Sequence, residues 1–434
     1  MFIQKEIPND DLTPILCFRA IGGNGCCILE SDAKEGENEN SLIGICPFAT
    51  FKAKGRSIEI TFRGKTEFLE GDPYEALKDF SKNRKAFGFI SYNTAGLKET
   101  LPDRHPSKGL PDFFFHLYQT VILFDHDRKI IRFTHEGTEE ALESIIHQCY
   151  SFSELKPFKT PKNLPIHADL SREKFAELVE KAKNHIMNGE IFQIVLSRTF
   201  QIEVHAHPFE IYRAIRQVTP APYLFFFEEE EFSIAGASPE LLISIKDGTI
   251  KSMPIAGTSL KEIPLTVLLE DPKECAEHVM LVDLARNDVG AVSTIGSVRV
   301  TDFKKVQSFS HLNHIVSKVE GKLKESLHPL DALKVSLPAG TLSGAPKIRA
   351  MEIIDALESS RRELYGGAIV SMDEKGNLTS CIAIRMAIIR NGKAEVQTGA
   401  GIVLDSNGEK EALETELKAQ GILEALELAE GGVL

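Results

Sequence analysis

The chain has 434 residues, with 50 Lys and Arg against 63 Asp and Glu, so its formal net charge is −13. Hydrophobic residues make up 42% and charged residues 26%, an ordinary globular composition that excludes disordered and fibrous classes. The acidic balance argues against nucleic acid or an anionic membrane as a partner, because both attract basic surfaces. A small anionic substrate is not excluded, since one local cation can bind it. At about 150 residues per domain, the length predicts two to three domains or one large one.

The sequence predicts a cytoplasmic protein that does not enter a membrane. The N-terminal MFIQKEIPNDD has no basic region followed by an apolar stretch, so no secretory signal is expected. No window approaches the roughly 20 apolar residues of a membrane helix. The seven cysteines are odd in number, scattered and without a Cys-x-x-Cys motif, which favours reduced thiols and no zinc ribbon.

The first 150 residues are typical of strands, because short apolar runs alternate with turn residues. One helix is predicted near 74–83. The segment 156–166 contains three prolines and favours a linker. We therefore expect a β-rich N-terminal region, 1–155, followed by a second region, 165–434.

The second region alternates helices and strands. Ser171 is a predicted N-cap for a helix that runs to about Asn188 and ends at Gly189. Further elements are predicted as a strand at 192–200, a helix at 208–217, strands at 223–227, 231–236 and 241–246, and a helix at 272–287. Adjacent strand runs without strict β-α-β alternation predict an α+β fold, with antiparallel sheets packed together and helices on the outside.

Two predicted helices carry carboxylates three residues apart, Glu274 with Glu277 and Glu411 with Glu414, so each pair shares a helix face. Four carboxylates around one cavity would suit Mg²⁺, a hard ion that prefers oxygen ligands. The alternative is that Glu274 belongs to a helix cap and Glu414 pairs with Lys418 on an exposed surface. The spacing does not show whether the two helices meet.

Two glycine-rich segments could present backbone N–H groups to an anion. The first, 338–347, does not match a phosphate-binding Walker motif, and the second, 399–401, lacks the third glycine of a dinucleotide fingerprint. Tyr365 adds a phenol. Arg385 is flanked by apolar residues and is predicted to be half-buried, so it needs an anion, either a ligand or an internal Asp or Glu.

Nine segments together resemble the chorismate-utilising enzymes. They are 254–258 (PIAGT), 274–278 (ECAEH), 280–288 (MLVDLARND), 310–314 (SHLNH), 338–347 (PAGTLSGAPK), 349–354 (RAMEII), 365–367 (YGG), 382–385 (IAIR) and 397–402 (QTGAGI). The similarity covers about 170–425 and is weaker in the N-terminal part, at 28–31 and 41–44. Within the family the chain looks most like component I of anthranilate synthase, with the large subunit of aminodeoxychorismate synthase a near relative. The resemblance implies that fold, a regulatory-like region at 1–155 and a chorismate-binding catalytic region at 165–434.

The resemblance also implies roles by position. Glu277 and Glu414 match direct Mg²⁺ ligands, and Glu274 and Glu411 match water-mediated ones, the metal binding the ring carboxylate of chorismate. Groups around the substrate follow in the same way: Tyr365, Arg385, Gly399, Ala400 and Gly401 at the enolpyruvyl carboxylate, Thr258, Thr341 and Lys418 along the pocket, Glu240 as the acid that helps the C4 hydroxyl leave, and His314 in the elimination of pyruvate. A dianionic substrate and a poor leaving group need such a cation and such an acid.

Two positions favour ammonia as the nucleophile. Gln193 stands where water-adding relatives have a Lys base, and an amide cannot deprotonate water. Ala256 stands where many aminodeoxychorismate synthases have a nucleophilic Lys, so direct attack by ammonia at C2 is favoured. Cys381 also looks more like the anthranilate enzyme. We therefore expect anthranilate as the product, with an ordinary strand role as the alternative for Gln193.

The chain has no Gly-x-Cys-x-Gly nucleophile elbow, so the resemblance implies ammonia from a separate glutamine amidotransferase subunit. A tryptophan feedback site in relatives is matched partly by Ser31, Ser41, Pro220 and Tyr223, although Thr219 and Leu224 differ, and the alternative is that these are turn and packing residues. The loop after Thr258 is several residues shorter than in relatives. Other functions left open are an aminodeoxychorismate synthase large subunit and a non-catalytic amino-acid-binding subunit; the second would require the carboxylates or Arg385 to be missing, and none is.

Overall fold

The computed structural model describes residues 2–31, 40–151, 154–260, 269–270, 272–308 and 312–434, without the side chains of 256–260, 272–274, 307–308 and 312–314. Within these ranges the chain is α+β, and every strand pair is antiparallel, as predicted. None of the helices in the described part has both the length and the apolar composition of a membrane span. All seven cysteines are free thiols.

The strands are defined as follows. In the N-terminal part they are β1 (Phe2–Pro8), β2 (Cys26–Ser31), β3 (Asn40–Lys54), β4 (Ser57–Phe62), β5 (Lys65–Glu70), β6 (Ala86–Ile90), β7 (Phe113–Asp125) and β8 (Ile130–Glu136). In the remainder they are β9 (His167–Ala168), β10 (Gln193–Glu203), β11 (Tyr223–Glu228), β12 (Ser233–Ser238), β13 (Leu241–Lys246), β14 (Thr249–Ser252), β15 (Ile255–Leu260), β16 (Arg299–Ser308), β17 (Leu312–Lys322), β18 (Gly344–Ala345), β19 (Ala368–Met372), β20 (Leu378–Ile382), β21 (Met386–Arg390) and β22 (Lys393–Ile402).

The helices predicted near 74–83, from Ser171 to about Asn188, at 208–217 and at 272–287 are confirmed, but the described part of the first 150 residues contains three helices rather than the one predicted. The helices are α1 (Pro14–Ile21), α2 (Pro73–Phe80), α3 (Glu139–Cys149), α4 (Arg172–Met187), α5 (Pro208–Val218), α6 (Pro272–Val292), α7 (Pro329–Ser336), α8 (Lys347–Leu357) and α9 (Gly408–Glu430), with short 3₁₀ turns at Tyr92–Leu97 and Gly340–Leu342. Ser171 caps α4, because its hydroxyl accepts from the Lys174 N–H, and Gly189 follows the helix with φ +75°. The strand predicted at 231–236 begins later, at Ser233, and Gly399 and Gly401 lie inside β22 rather than after it.

Two long strands join two sheet layers. One half of β3 pairs with β2 and the other half with β4, while β7 pairs with β8 through one half and with β6 through the other. The first layer continues as β1–β8–β7–β3–β2–β11–β12–β21–β22–β10. The second continues as β3–β7–β6–β19–β20–β13–β14–β17. The layers therefore share β3 and β7, and each later crossing of the chain between them must occur between strands.

The main core lies between the layers and includes residues from both predicted regions. Phe89 of β6 packs against Phe227 of β11, with ring centroids 6.4 Å apart. Strands from the two regions also pair directly, β2 with β11 and β6 with β19. In the segment predicted as a linker, the Lys159 N–H donates to the Gly432 carbonyl at 2.9 Å. The division into 1–155 and 165–434 remains a prediction.

Arg198 fastens helix α9 to strand β10. Its side chain is buried and donates to Ala412 O at 2.9 Å, to Thr415 Oγ1 at 2.8 Å and to Glu416 Oε1 at 2.7 Å. Phe175 and Phe200 cover its guanidinium, with ring centroids 5.6 and 5.0 Å away. The position of α9 against the first layer therefore depends on a buried cation on β10.

Replacing Arg198 with Leu is expected to lower the free energy of unfolding by about 3–5 kcal/mol, because it removes a buried cation together with its bonds to Ala412 O, Thr415 Oγ1 and Glu416. Urea denaturation measures the change. Arg172→Leu is the matched control: Arg172 also pairs with Glu416, but its side chain is 59% exposed, so a loss of about 1 kcal/mol or less is expected. Equal losses in the two variants would contradict this account.

Candidate functional site

Two candidate residues lie where the chain crosses between the layers. Glu240 follows β12 and precedes β13, and Arg385 follows β20 and precedes β21. The crossings run side by side, because the Ile382 N–H donates to Glu240 O at 3.0 Å and the Ala237 N–H donates to Arg385 O at 2.9 Å. Arg385 has φ +52°, a left-handed conformation that a non-glycine residue adopts only when its surroundings hold it there. The backbone thus fixes the acid and the cation relative to each other.

The Glu240 carboxyl group has the properties of a general acid. Burial of the carboxyl group raises its pKa to about 7, although the Thr341 hydroxyl and Lys418 both act to lower it. Thr341 Oγ1 donates to Glu240 Oε1 at 3.0 Å. A carboxyl group whose pKa is close to neutral pH can both hold and release a proton under physiological conditions.

Strand β22 presents an open edge to this region. The N–H groups of Val195 and Ser197 on β10 donate elsewhere, to Ser343 O at 2.9 Å and to Glu358 Oε1 at 2.8 Å. Their partners on β22, Gly401 and Gly399, are therefore non-hydrogen-bonded pairs whose N–H and C=O groups point away from β10. The pairing of β21 with β22 ends at Glu395. Two glycine N–H groups are thus directed outward, where they can bind an anion.

Tyr365 and Lys418 lie against this edge. The Tyr365 hydroxyl is 2.8 Å from the position that a Cβ on Gly399 would occupy, and burial raises the pKa of this phenol, which keeps it a neutral donor. Lys418 Nζ donates to Gly399 O at 2.9 Å. Gln193 lies at the next position along the edge, with its Nε2 3.1 Å from the corresponding Cβ position on Gly401. Any side chain larger than hydrogen at 399 would collide with Tyr365.

Arg385 is a partly buried cation, as predicted. Its guanidinium donates to the Lys418 carbonyl, and no Asp or Glu of the described residues forms an ion pair with it. Burial lowers its pKa, while Tyr365 and Glu414 act in the opposite direction, but an arginine with a lowered pKa is still charged at neutral pH. The geometry therefore favours a ligand anion over the internal Asp or Glu partner that the sequence left open.

Glu414 forms an ion pair with Lys418 at 2.6 Å, as expected from the alternative prediction that these two residues pair on an exposed helix surface. Glu277 lies on the same face of α6 as Leu281, Leu284 and Asp288, because these positions are separated by whole helical turns. Those three residues line a cleft, partly open to solvent, that also contains Glu240 and Thr341. Glu277 is therefore directed to the cleft side of its helix.

Three predicted site residues have side chains outside the described residues: Thr258, Glu274 and His314. Their backbones place Thr258 and His314 opposite each other on β15 and β17. The shortened loop after Thr258 falls largely in 261–268, which is also outside the described residues. Among the side chains that are described, no group of three or more His, Cys, Asp or Glu is arranged to hold a metal ion. The carboxylates that remain, Glu277, Glu411 and Glu414, offer the oxygen donors that a hard cation takes.

Three of the four predicted feedback residues lie on neighbouring strands of the first layer. Ser31 on β2 is opposite Tyr223 on β11 and, on its other side, opposite Asn40 on β3. Ser41 is the next residue on β3, and its hydroxyl is 2.8 Å from His126 Nε2. Pro220 lies in the connection between α5 and β11.

The structure adds two site-adjacent residues that the sequence did not single out, Arg362 and Glu358. They form a buried ion pair directly behind Tyr365. The signal in the sequence is the charged run Arg361-Arg362-Glu363 immediately before Leu364-Tyr365-Gly366-Gly367. A charged run beside a buried Tyr-Gly-Gly segment indicates an internal ion pair, but it does not indicate the partner.

The chain matches a known protein family. The sequence profile described as chorismate binding enzyme matches residues 24–424. The chain belongs to this family. The chain is 37% identical to anthranilate synthase component 1 of Acetivibrio thermocellus, over 98% of this chain and 95% of that protein. It is also similar to a crystal structure of anthranilate synthase component I from Streptococcus pneumoniae, with a TM-score of 0.81, 35% identity, and coverage of 96% of this chain and 98% of the other.

A solved structure of lower sequence identity shares the fold. The menaquinone-specific isochorismate synthase from Escherichia coli has a TM-score of 0.75 at 17% identity, covering 98% of this chain and 94% of the other. The α+β architecture predicted from the sequence is therefore that of the family.

Thr341→Val is expected to move the alkaline limb of the turnover profile to higher pH. Glu240 must be protonated to act as an acid, so activity falls as the pH rises through its pKa. Removing the hydroxyl that lowers this pKa raises it, by about one unit if the lost bond is worth about 1.5 kcal/mol. A pH series of kcat measures the shift. Thr341→Ser keeps the hydroxyl and should keep the wild-type limb; a limb unmoved in both variants would exclude Glu240 as the titrating acid.

Proposed function

We propose that the chain is the chorismate-aminating component of an anthranilate synthase. It adds ammonia at C2 of chorismate, removes the C4 hydroxyl as water and eliminates pyruvate to give anthranilate. The observation that carries the proposal is the meeting of a carboxyl group with a pKa of about 7, an Arg without a carboxylate partner among the described residues, a neutral phenol and an open glycine edge in one region.

The described groups suit the two ends of this substrate. Arg385, Tyr365 and the outward N–H groups of Gly399 and Gly401 would bind the enolpyruvyl carboxylate, because a guanidinium, a hydroxyl and amide groups are all donors to carboxylate oxygen. Glu240 would donate its proton to the C4 oxygen as that oxygen leaves with the bonding pair, forming water. His314 would serve the second step, in which C2 loses its proton and the enolpyruvyl group leaves as pyruvate.

The nitrogen source follows from Gln193. Its amide nitrogen lies beside Gly401. The resemblance to water-adding relatives would put a Lys base at this residue, and an amide cannot act as that base. Neutral ammonia is a stronger nucleophile than water and can attack without first losing a proton, so it needs no strong base. Gln193 would orient it by hydrogen bonding. The relatives are named component 1, which supports a second component, and we propose a separate glutamine amidotransferase as the ammonia source. A cytoplasmic location completes the proposal and is supported by the seven free thiols.

Magnesium is part of the proposal. Glu277 and Glu414 would hold the ion directly, and Glu274 and Glu411 through water. Bound Mg²⁺ would neutralise the ring carboxylate of chorismate and favour the displacement at C2. The support is the carboxylate-only donor set and the cleft-facing side of α6. The Glu414–Lys418 contact is compatible with this role, since Lys418 can keep its bond to Gly399 O when Glu414 turns to a metal.

Chorismate, ammonium and Mg²⁺ mixed with the purified chain are expected to give anthranilate and pyruvate in equal amounts. Direct amination needs no amidotransferase when ammonium is supplied at high concentration. Chromatography with fluorescence detection of anthranilate, coupled to a pyruvate assay, measures both products. The finding of 4-amino-4-deoxychorismate as the sole product would instead assign the chain to the aminodeoxychorismate synthases, and no turnover at all would refute both assignments.

Glu277→Gln is expected to raise the MgCl₂ concentration needed for half-maximal turnover by about tenfold to a hundredfold, because it removes a metal ligand. The melting temperature should not change, because the residue lies on a partly exposed helix face. Titration of turnover with MgCl₂, alongside thermal unfolding, measures both. Asp283→Asn is the matched control on α6, since Asp283 is 60% exposed and pairs with Arg286 on its own helix. Wild-type Mg²⁺ dependence in Glu277→Gln would remove this residue from the metal site.

We also propose that tryptophan inhibits the chain at the contact of β2, β3 and β11. The support is that Ser31 on β2 and Tyr223 on β11 are direct cross-strand partners, so their side chains share one face of the sheet, as a ligand site requires. Ser41 is paired with Glu30 and lies on the opposite face. Glu30 beside them is buried and accepts from Tyr212 Oη at 2.6 Å and from Arg216 Nε at 2.9 Å, which fixes β2 to helix α5. Loss of anthranilate formation on addition of L-tryptophan is the measurement that tests this, and an unaffected rate would favour the packing alternative.

A further inference from the structure

The residues Arg362 and Glu358 form an ion pair that the proposed reaction does not use. Both are buried, with 3% and 6% of their surface exposed. Arg362 Nε donates to Glu358 Oε2 at 2.8 Å and Arg362 Nη2 donates to Glu358 Oε1 at 2.5 Å. Neither residue lines the cleft that contains Glu240 and Thr341. A two-bond contact of this kind holds both side chains in one orientation.

The remaining donors of Arg362 bridge two segments of the candidate site. Nη1 donates to Leu342 O at 2.6 Å, and Nη2 also donates to Val195 O at 2.7 Å. Leu342 follows Thr341, whose hydroxyl donates to Glu240, and Val195 is opposite Gly401 across β10 and β22. One guanidinium group therefore sets the spacing between the acid's hydrogen-bond partner and the glycine edge.

Glu358 fixes the same edge one residue pair further along. Its Oε1 accepts from the Ser197 N–H at 2.8 Å and from Ser197 Oγ at 2.7 Å. Ser197 is opposite Gly399, and the Ser197 N–H bond to Glu358 is what leaves Gly399 directed away from β10. The carboxylate thus determines which way the edge of β22 faces.

The cation also supports the phenol. Arg362 lies 5.6 Å from the Tyr365 ring centroid and 4.7 Å from that of Tyr92, so its plane is enclosed between two aromatic side chains. Tyr365 is held on one side by this contact, and its hydroxyl lies against Gly399 on the other. Movement of the guanidinium would therefore displace Tyr365 as well.

We propose that Arg362 and Glu358 are positioning residues, which set the distance between the Glu240–Thr341 pair and the anion-binding edge of β22 without touching the substrate. This inference rests on the proposed function. Four of the five N–H groups of Arg362 would be needed for it, and they are used in a fixed planar geometry. A lysine at the same position keeps the charge but has one flexible nitrogen, so it cannot span Leu342 O, Val195 O and both carboxylate oxygens together.

Arg362→Lys tests the proposal in the full chain with chorismate, ammonium and Mg²⁺. The KM for chorismate is expected to rise on the order of tenfold, because the glycine edge and Tyr365 lose their register. The alkaline limb of kcat is expected to move to higher pH, because Thr341 no longer reaches Glu240. Arg361→Lys is the matched control: Arg361 is also largely buried and pairs with Asp103 and Asp112 on the other side of the chain, so its KM and pH limb should stay at wild-type values.

These two readouts separate positioning from a purely structural role. If the ion pair only supports folding, the variant contains less active protein, so kcat falls while the KM and the pH limb of the folded fraction stay unchanged. Unchanged KM and pH limb in a folded Arg362→Lys variant would therefore overturn the proposal, whatever the kcat. A change of the same size in Arg361→Lys would also overturn it.

A second variant keeps the test decisive if Arg362→Lys does not fold. Ser197→Ala keeps the ion pair but removes one of the two hydrogen bonds by which Ser197 holds Glu358 against β10, so a rise in the KM smaller than that of Arg362→Lys is expected. A wild-type KM in that variant would overturn the proposal. Failure of the proposed function can be distinguished from failure of the positioning proposal. In the first case the wild-type chain itself forms no anthranilate; in the second the wild type is active and the variants keep its KM.

Discussion

The site depends on the way the chain crosses between its two layers. Where the chain leaves one sheet and enters another, the residues in between belong to neither ladder of hydrogen bonds, so their side chains are available for a site. Here two such crossings lie side by side and share hydrogen bonds at 3.0 and 2.9 Å, one carrying Glu240 and the other Arg385. An acid and a cation are thereby held at a fixed separation by peptide groups rather than by side-chain contacts. The same constraint explains the left-handed backbone of Arg385, which only surrounding structure can maintain.

The charge distribution resolves the apparent conflict between an acidic chain and an anionic substrate. The chain as a whole carries −13. Around the open edge of β22, however, two cations lie together: Lys418 donates to the Gly399 carbonyl and pairs with Glu414, and Arg385 donates to the Lys418 carbonyl. The net charge thus describes the exposed surface, whereas binding of a small ligand depends on a few groups within one cleft. Glu240, within reach of Lys418, keeps a high pKa because burial outweighs that attraction.

Local pattern and motif chemistry predicted what depends on neighbouring residues. The bounds of α4 followed from Ser171, the apolar period and Gly189, and the family followed from short segments whose residue types are fixed by their chemistry. The orientation of the Gly399 and Gly401 N–H groups could not be predicted, because it depends on which residues of β10 donate elsewhere, to Ser343 and Glu358. For the same reason the sequence could not choose between a ligand and an internal partner for Arg385. Arg362 and Glu358 are four residues apart in the chain, but the groups that Arg362 bridges, Leu342 O and Val195 O, are distant in sequence and could not be predicted.

The interleaving of strands has a consequence for truncation of the chain. Strand β6 is inserted between β7 and β19, and β2 lies beside β11, so the N-terminal third supplies hydrogen-bonded neighbours to strands of the second region. A fragment beginning near residue 165 would leave those strands with bare edges and Phe227 without its aromatic cover. Residues 1–155 therefore cannot be removed without destabilising the rest of the fold.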